Sequence, residues 1–119
     1  MTTDPVALLR RYHAALNDYD EETVKAMFAA DAIYVSPGVK GRIAGRDAII
    51  AAFTAYFAEY PDQAAIDEVV TRVAPDAVKS VWKLEATARS TGQRVTRRGT
   101  QTVTFNGDGL IAHVEVTDA

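Results

Sequence analysis

Apolar residues recur at helical spacing through the first half of the chain and at alternate positions through the second, which predicts helices first and strands after. Asp4-Pro5 reads as an N-cap followed by proline at the first helical position, where a missing N–H costs nothing. Val6, Leu9, Tyr12, His13 and Leu16 then share one face of an amphipathic helix that runs to about Asn17. Asp20 caps a second, shorter helix, with Glu21 and Glu22 at its positive end and Val24, Met27 and Phe28 on its apolar side. Ala32 to Val35 read as a short strand that delivers Ser36 to a Pro37-Gly38 turn. A connection punctuated by Gly38, Gly41 and Gly45 follows and is expected to form a flexible rim. Arg46-Asp47 opens a third helix; Ile49, Ile50, Phe53, Tyr56, Phe57 and Tyr60 form a wide apolar stripe, read first as core, and Pro61 stops it.

Strands are predicted near 64–73, 77–89, 94–106 and 109–118, separated by Pro75-Asp76, Ser90-Thr91-Gly92 and Asn106-Gly107-Asp108-Gly109. Val78, Ser80, Trp82, Leu84 and Ala86 alternate with a largely polar set, as do Val95, Arg97, Gly99, Gln101, Val103 and Phe105. Gly99 in mid-strand suggests a bulge or bend. The expected architecture is α+β, a cone-shaped, strongly curved, mainly antiparallel sheet wrapped around three N-terminal helices. Such a bend leaves room for a hollow.

Composition narrows the partners. At 119 residues the chain is expected to be a single domain, 1–119, able to bury roughly two-thirds of its unfolded surface. A net charge of −3 argues against nucleic-acid binding or an anionic membrane surface. Arg94, Arg97 and Arg98 cluster locally and are read as a solvated strand face rather than a phosphate site. No run reaches membrane-spanning length, no signal peptide is apparent, and a cytoplasmic location is the default. The absence of cysteine removes disulfides, thiolate nucleophiles and iron–sulfur clusters. His13 and His113 have no metal-binding spacing, and no elbow motif surrounds Ser36, Ser80 or Ser90, so neither a metal, a cofactor nor a serine hydrolase is expected.

The order of elements, with RYHAALNDYDEETVKAMFAADAIYVSP and VTFNGDGLIAHVEV, resembles the nuclear transport factor 2-like superfamily, specifically its ketosteroid isomerase and SnoaL-like polyketide cyclase branches. The isomerase resemblance implies a tyrosine and a neutral aspartic acid that hold an enolate oxygen, and a second aspartate that moves the proton. By position these fall on Tyr12, Gln101 and Ser36. Gln101 keeps a donor without titrating, and a serine without a neighbouring base cannot replace the aspartate. The epoxide hydrolase branch implies an Arg-x-Asp that here reads Gly99-Thr100-Gln101.

Two kinds of candidate follow. Tyr12 is either a core tyrosine or an oxygen donor, and Gln101, sharing a face with Val103 and Phe105, is a covered amide that needs a partner: Tyr12, water or a ligand oxygen. If Val114 and Val116 face inward, so does Asp118, which becomes the stand-in base. Tyr34, Phe53, Tyr56, Phe57, Trp82, Val103 and Val114 supply apolar walls. The expected function is a pocket for a small, apolar, carbonyl-bearing compound, in an isomerase or cyclase lacking the usual base. The alternative is a non-catalytic binding or dimerisation module, paired as a homodimer through the threonine-rich outer sheet face.

Overall fold

A computed structural model describes residues 4–37 and 41–118, the side chain of Asp118 excepted. Helix α1 spans Pro5–Asn17, with the Asp4 carboxylate accepting from the Val6 N–H at 3.0 Å. Helix α2 spans Glu21–Met27, and Asp20 caps it by accepting from Thr23 N–H. The link between them turns at Tyr19, a non-glycine residue in the left-handed region (φ 56°). Its hydroxyl donates to the Gln63 carbonyl at 2.9 Å and its ring packs edge-on against Phe57, contacts that hold the strained backbone in place.

Strands β1 (Phe28–Ser36), β2 (Gly41–Ala44), β3 (Ala64–Ala74), β4 (Ala77–Thr87), β5 (Arg94–Phe105) and β6 (Ile111–Asp118) form one sheet in the order β2-β1-β6-β5-β4-β3. Only β1 and β6 run parallel; the other pairs are antiparallel and the sheet stays open. Helix α3 (Arg46–Glu59) lies between β2 and β3 in the chain. The three helices gather on one face, and the core between them and the sheet is built from Leu9, Tyr12, Phe28, Val78, Val103 and Ile111, all fully buried. Among the described residues no helix is long and apolar enough to cross a membrane.

Four expectations need correction. The first strand begins at Phe28, not Ala32: the residue assigned to the apolar side of α2 is instead its C-cap and the first residue of β1. The glycine-punctuated rim is in part a strand, because Gly41–Ala44 pair with Ser36–Ile33 in a hairpin; residues 38–40 lie outside the described residues. Gly99 is not a bulge. The β4–β5 register runs unbroken through it, with Trp82 directly opposite. The register shifts that accompany curvature fall elsewhere, between Phe28 and Ile33, Asp67 and Val69, Arg72 and Ala74, and Thr104 and Phe105. Finally, in the α3 stripe only Ile49 is fully buried; Phe53, Tyr56 and Phe57 are half-buried because they wall a hollow.

Candidate functional site

That hollow is a cavity of about 120 Å³ between α1, α3 and the inner face of the sheet. Its walls are mostly apolar, with Leu16, Ile49, Phe53, Phe57, Trp82 and Leu84 among the lining side chains. The rings of Phe53 and Phe57 stack with centroids 6.2 Å apart, and Tyr34 meets Phe53 edge-on at 5.3 Å.

The polar groups at one end come from a match between helix and strand spacing. Four helical residues rise about 6 Å, and two strand residues span about 6.8 Å. The C-terminal turns of α1 therefore run beside β3 with side chains in step. Asn17 donates to the Ala65 carbonyl at 2.9 Å and accepts from the Ala65 N–H at 3.0 Å, acting as one residue of an added strand on the sheet's open edge. One turn earlier, His13 Nδ1 lies 2.7 and 2.8 Å from the two Asp67 oxygens. Gln63 completes the seam by donating its amide to the Leu16 carbonyl at 3.2 Å.

The other ring nitrogen of His13, Nε2, sits 2.5 Å from the Gln101 side-chain oxygen. The Asp67 carboxylate only accepts, so Nδ1 donates to it, while the Gln101 amide carries both an acceptor and donors and can pair with Nε2 in either role. The covered amide thus finds its partner in His13, the neighbour of Tyr12. Its amide nitrogen bonds no other group among the described residues.

A second polar group lies on β1, β5 and α3. Tyr34 and Ser36, alternate residues of β1, both face the cavity and share a hydrogen bond. Burial pushes the Tyr34 phenol well above its ordinary range, the neighbouring Tyr56 adds to this, and Arg97 and Ser36 oppose it. Tyr56 is also raised by burial and hydrogen-bonded to Arg97, whose guanidinium stands 5.8 Å from the Trp82 ring centroid. The basic cluster therefore divides. Arg94 and Arg98 are exposed and paired with carboxylates, Arg98 to Glu68 at 2.7 Å, whereas Arg97 is half-buried and turned into the cavity.

Of the residues expected at the site, Ser36, Tyr34, Phe53, Tyr56, Phe57, Trp82 and Gln101 line the cavity together. Trp82 is both wall and core, being 8% exposed. Tyr12, Val103 and Val114 do not line it; they are fully buried in the core behind it. The Tyr12 ring packs edge-on against Phe28 at 5.6 Å, and its hydroxyl is buried with no hydrogen-bond partner among the described residues. The Asp118 backbone pairs with Gly99, while its side chain lies outside the described residues.

His13, Asp67 and Arg97 carry no strong local signal: His13 lies on the apolar face of α1 without metal-binding spacing, Asp67 is one acid among the residues of β3, and Arg97 sits in sequence beside the exposed Arg98 and near Arg94. The usable signal was a titratable residue on the inward stripe of α1 combined with an acid at an inward position of β3, beside Ala65 in the alternation.

A family model described as the SnoaL-like domain matches residues 9–114. No curated protein matches the sequence. Among solved structures, RV0760c from Mycobacterium tuberculosis in complex with estradiol-17β-hemisuccinate is 20% identical with a TM-score of 0.83, over 94% of this chain and 91% of that one. A putative polyketide cyclase from Xanthomonas campestris pv. campestris is 22% identical with a TM-score of 0.82, over 92% of this chain and 86% of that one. The epoxide hydrolase/cyclase-like enzyme SalBIII, from pyran ring formation in the polyether salinomycin, is 18% identical with a TM-score of 0.86, over 99% and 95%. At these identities the likeness is one of fold.

Proposed function

Because this chain belongs to the SnoaL-like domain family, with the nuclear transport factor 2-like fold, we propose that it is a small-molecule enzyme of that family, holding a largely apolar, carbonyl-bearing compound in the cavity between α1, α3 and the sheet. The observation that carries this reading is an apolar chamber with hydrogen-bonding side chains at two places on its wall, Gln101 beside His13 and Ser36 beside Tyr34. A cavity of about 120 Å³ is close to the ~150 Å³ that admits benzene in an engineered protein core, so the compound enclosed is ring-sized. RV0760c was solved with a steroid derivative and SalBIII works in pyran ring formation, which supports oxygen-bearing ring compounds as the class.

Trp82 is the single tryptophan of the chain and lines the cavity, so its fluorescence reports occupancy directly. Titration with isophorone, an apolar one-ring enone, is expected to quench it in a saturable way. Gln101→Leu should weaken binding about tenfold, the equivalent of one hydrogen bond. Tyr12→Phe should leave affinity unchanged, since that hydroxyl stands outside the cavity lining. No saturable change at millimolar isophorone removes the pocket reading.

A second reading concerns assembly. Ile66, Val69 and Val73 are exposed by 66%, 54% and 52% along the outer side of β3. Apolar residues of this size on a sheet's outer face favour pairing with a second copy of the same face. Sedimentation at micromolar concentration is expected to show a dimer that Ile66→Lys with Val69→Lys converts to a monomer without altering isophorone binding. A wild-type monomer at that concentration excludes it.

A further inference from the structure

We propose that His13 moves the proton in this cavity, positioned by Asp67, on a ring-sized carbonyl compound whose oxygen is held by the Gln101 amide. The inference rests on the cavity being the binding site for such a compound. It answers the loss of a base at Ser36, whose hydroxyl is engaged with Tyr34.

Among the described residues that line the cavity, Asp67 is the one carboxylate and His13 the one imidazole. Both Asp67 oxygens face His13 Nδ1, at 2.8 and 2.7 Å. The carboxylate is therefore committed to the ring: it holds a proton on Nδ1, fixes the ring's orientation and stabilises the imidazolium when it forms. Nε2 is left as the working nitrogen, at the cavity wall beside Gln101. A structural clip between α1 and β3 would not need this arrangement, because Asn17 already joins the same two elements through the Ala65 backbone.

The step balances without a further reactant. With the Gln101 amide turned from Nε2 onto the ligand's oxygen, Nε2 takes a proton from the carbon next to the C=O. The C–H electron pair becomes the C=C bond of an enolate, and the former carbonyl pair moves onto the oxygen, which accepts from the Gln101 N–H. The imidazolium then returns the proton to a different carbon of the same compound. The groups facing this site from neighbouring elements are Asp67 on β3, Gln101 on β5 and Tyr34 on β1, with Tyr56 on α3 and Arg97 on β5 further along the wall. Both tyrosines are raised by burial and arginine does not deprotonate, so neither kind of group supplies the base here.

A suitable probe is 5-nitrobenzisoxazole, an apolar fused-ring compound that needs only a base. Proton removal from C3 converts the C–H pair into the new C–N π bond, and the N–O bond breaks to release the coloured 2-cyano-4-nitrophenolate. The wild-type protein is expected to accelerate this elimination with saturation. His13→Gln should lower kcat/KM at least about 100-fold, the contribution of a positioned base, while isophorone affinity read by Trp82 stays within about twofold. Asp67→Asn should lower kcat by at least about tenfold with KM nearly unchanged, because the ring loses the carboxylate that orients it. Full activity in His13→Gln, or a wild-type protein that binds isophorone without eliminating the probe, overturns the assignment and leaves the pocket reading standing. Absence of isophorone binding overturns both.

Discussion

Phe28→Ala is expected to lower the unfolding free energy by about 3–5 kcal/mol, the usual cost of emptying a buried phenylalanine site. Phe28 is fully buried where α2 becomes β1, its ring meeting Tyr12 edge-on and reaching Phe53 at 6.2 Å. Its backbone pairs with Ile111 at the far end of the parallel β1–β6 ladder, so the side chain fixes both the helix-to-strand exit and the start of that pairing. Against a total stability of roughly 5–15 kcal/mol, the loss should appear as a fall in Tm of roughly 10–20 °C. Phe53→Ala should cost clearly less in the same urea and thermal measurements, because Phe53 is half-buried and already borders a hollow. A Phe28→Ala loss below about 1 kcal/mol would contradict the packing described.

The second large effect is expected at Asn17, whose side chain takes the place of a strand on the open edge of β3. Asn17→Ala leaves both the N–H and the C=O of Ala65 without their partner. Two such bonds are worth about 2–3 kcal/mol together. Asn17→Asp keeps the acceptor and loses the donor, so it should fall between alanine and wild type. The substitution also has a functional reach. The seam that puts Asn17 opposite Ala65 puts His13 opposite Asp67 one turn away, and slackening it should lower the elimination rate more than it lowers isophorone affinity. A stability change under about 0.5 kcal/mol, with the rate intact, would show that the seam does not position the pair.

How much of this was legible depends on the range of the interaction. The N-caps at Asp4 and Asp20, the stop at Pro61 and the turns at Pro75-Asp76 and Asn106–Gly109 were all readable, because each acts within a few residues: the Asn106 carbonyl oxygen of the side chain accepts from Asp108 and Leu110 N–H, closing its own turn. The inward faces of β4 and β5 were readable for the same reason, strand alternation having a period of two. Strand β2 was missed because Arg42 and Ile43 between glycines carry no strand signal of their own; the pairing with β1 creates it. The bulge offered for Gly99 does not form, because the β4–β5 register, which no local pattern sets, runs unbroken through it.

The site was only half readable. Resemblance led to Ser36 and Gln101, both of which line the cavity, and to Tyr12, which does not. Neighbours on a helix point about 100° apart, so a small rotation of α1 decides whether position 12 or 13 meets the sheet, and no local pattern sets that rotation. By itself the sequence determined three helices, the later strands and the apolar character of the walls, since each follows from propensity and periodicity within a short window. The tertiary structure alone decided that His13 rather than Tyr12 meets Gln101, that Asp67 stands behind it and that Arg97 turns inward. Those facts depend on the rotation of α1 against β3 and on the curvature of the sheet, which are settled by contacts between residues 54 and 88 positions apart in the chain.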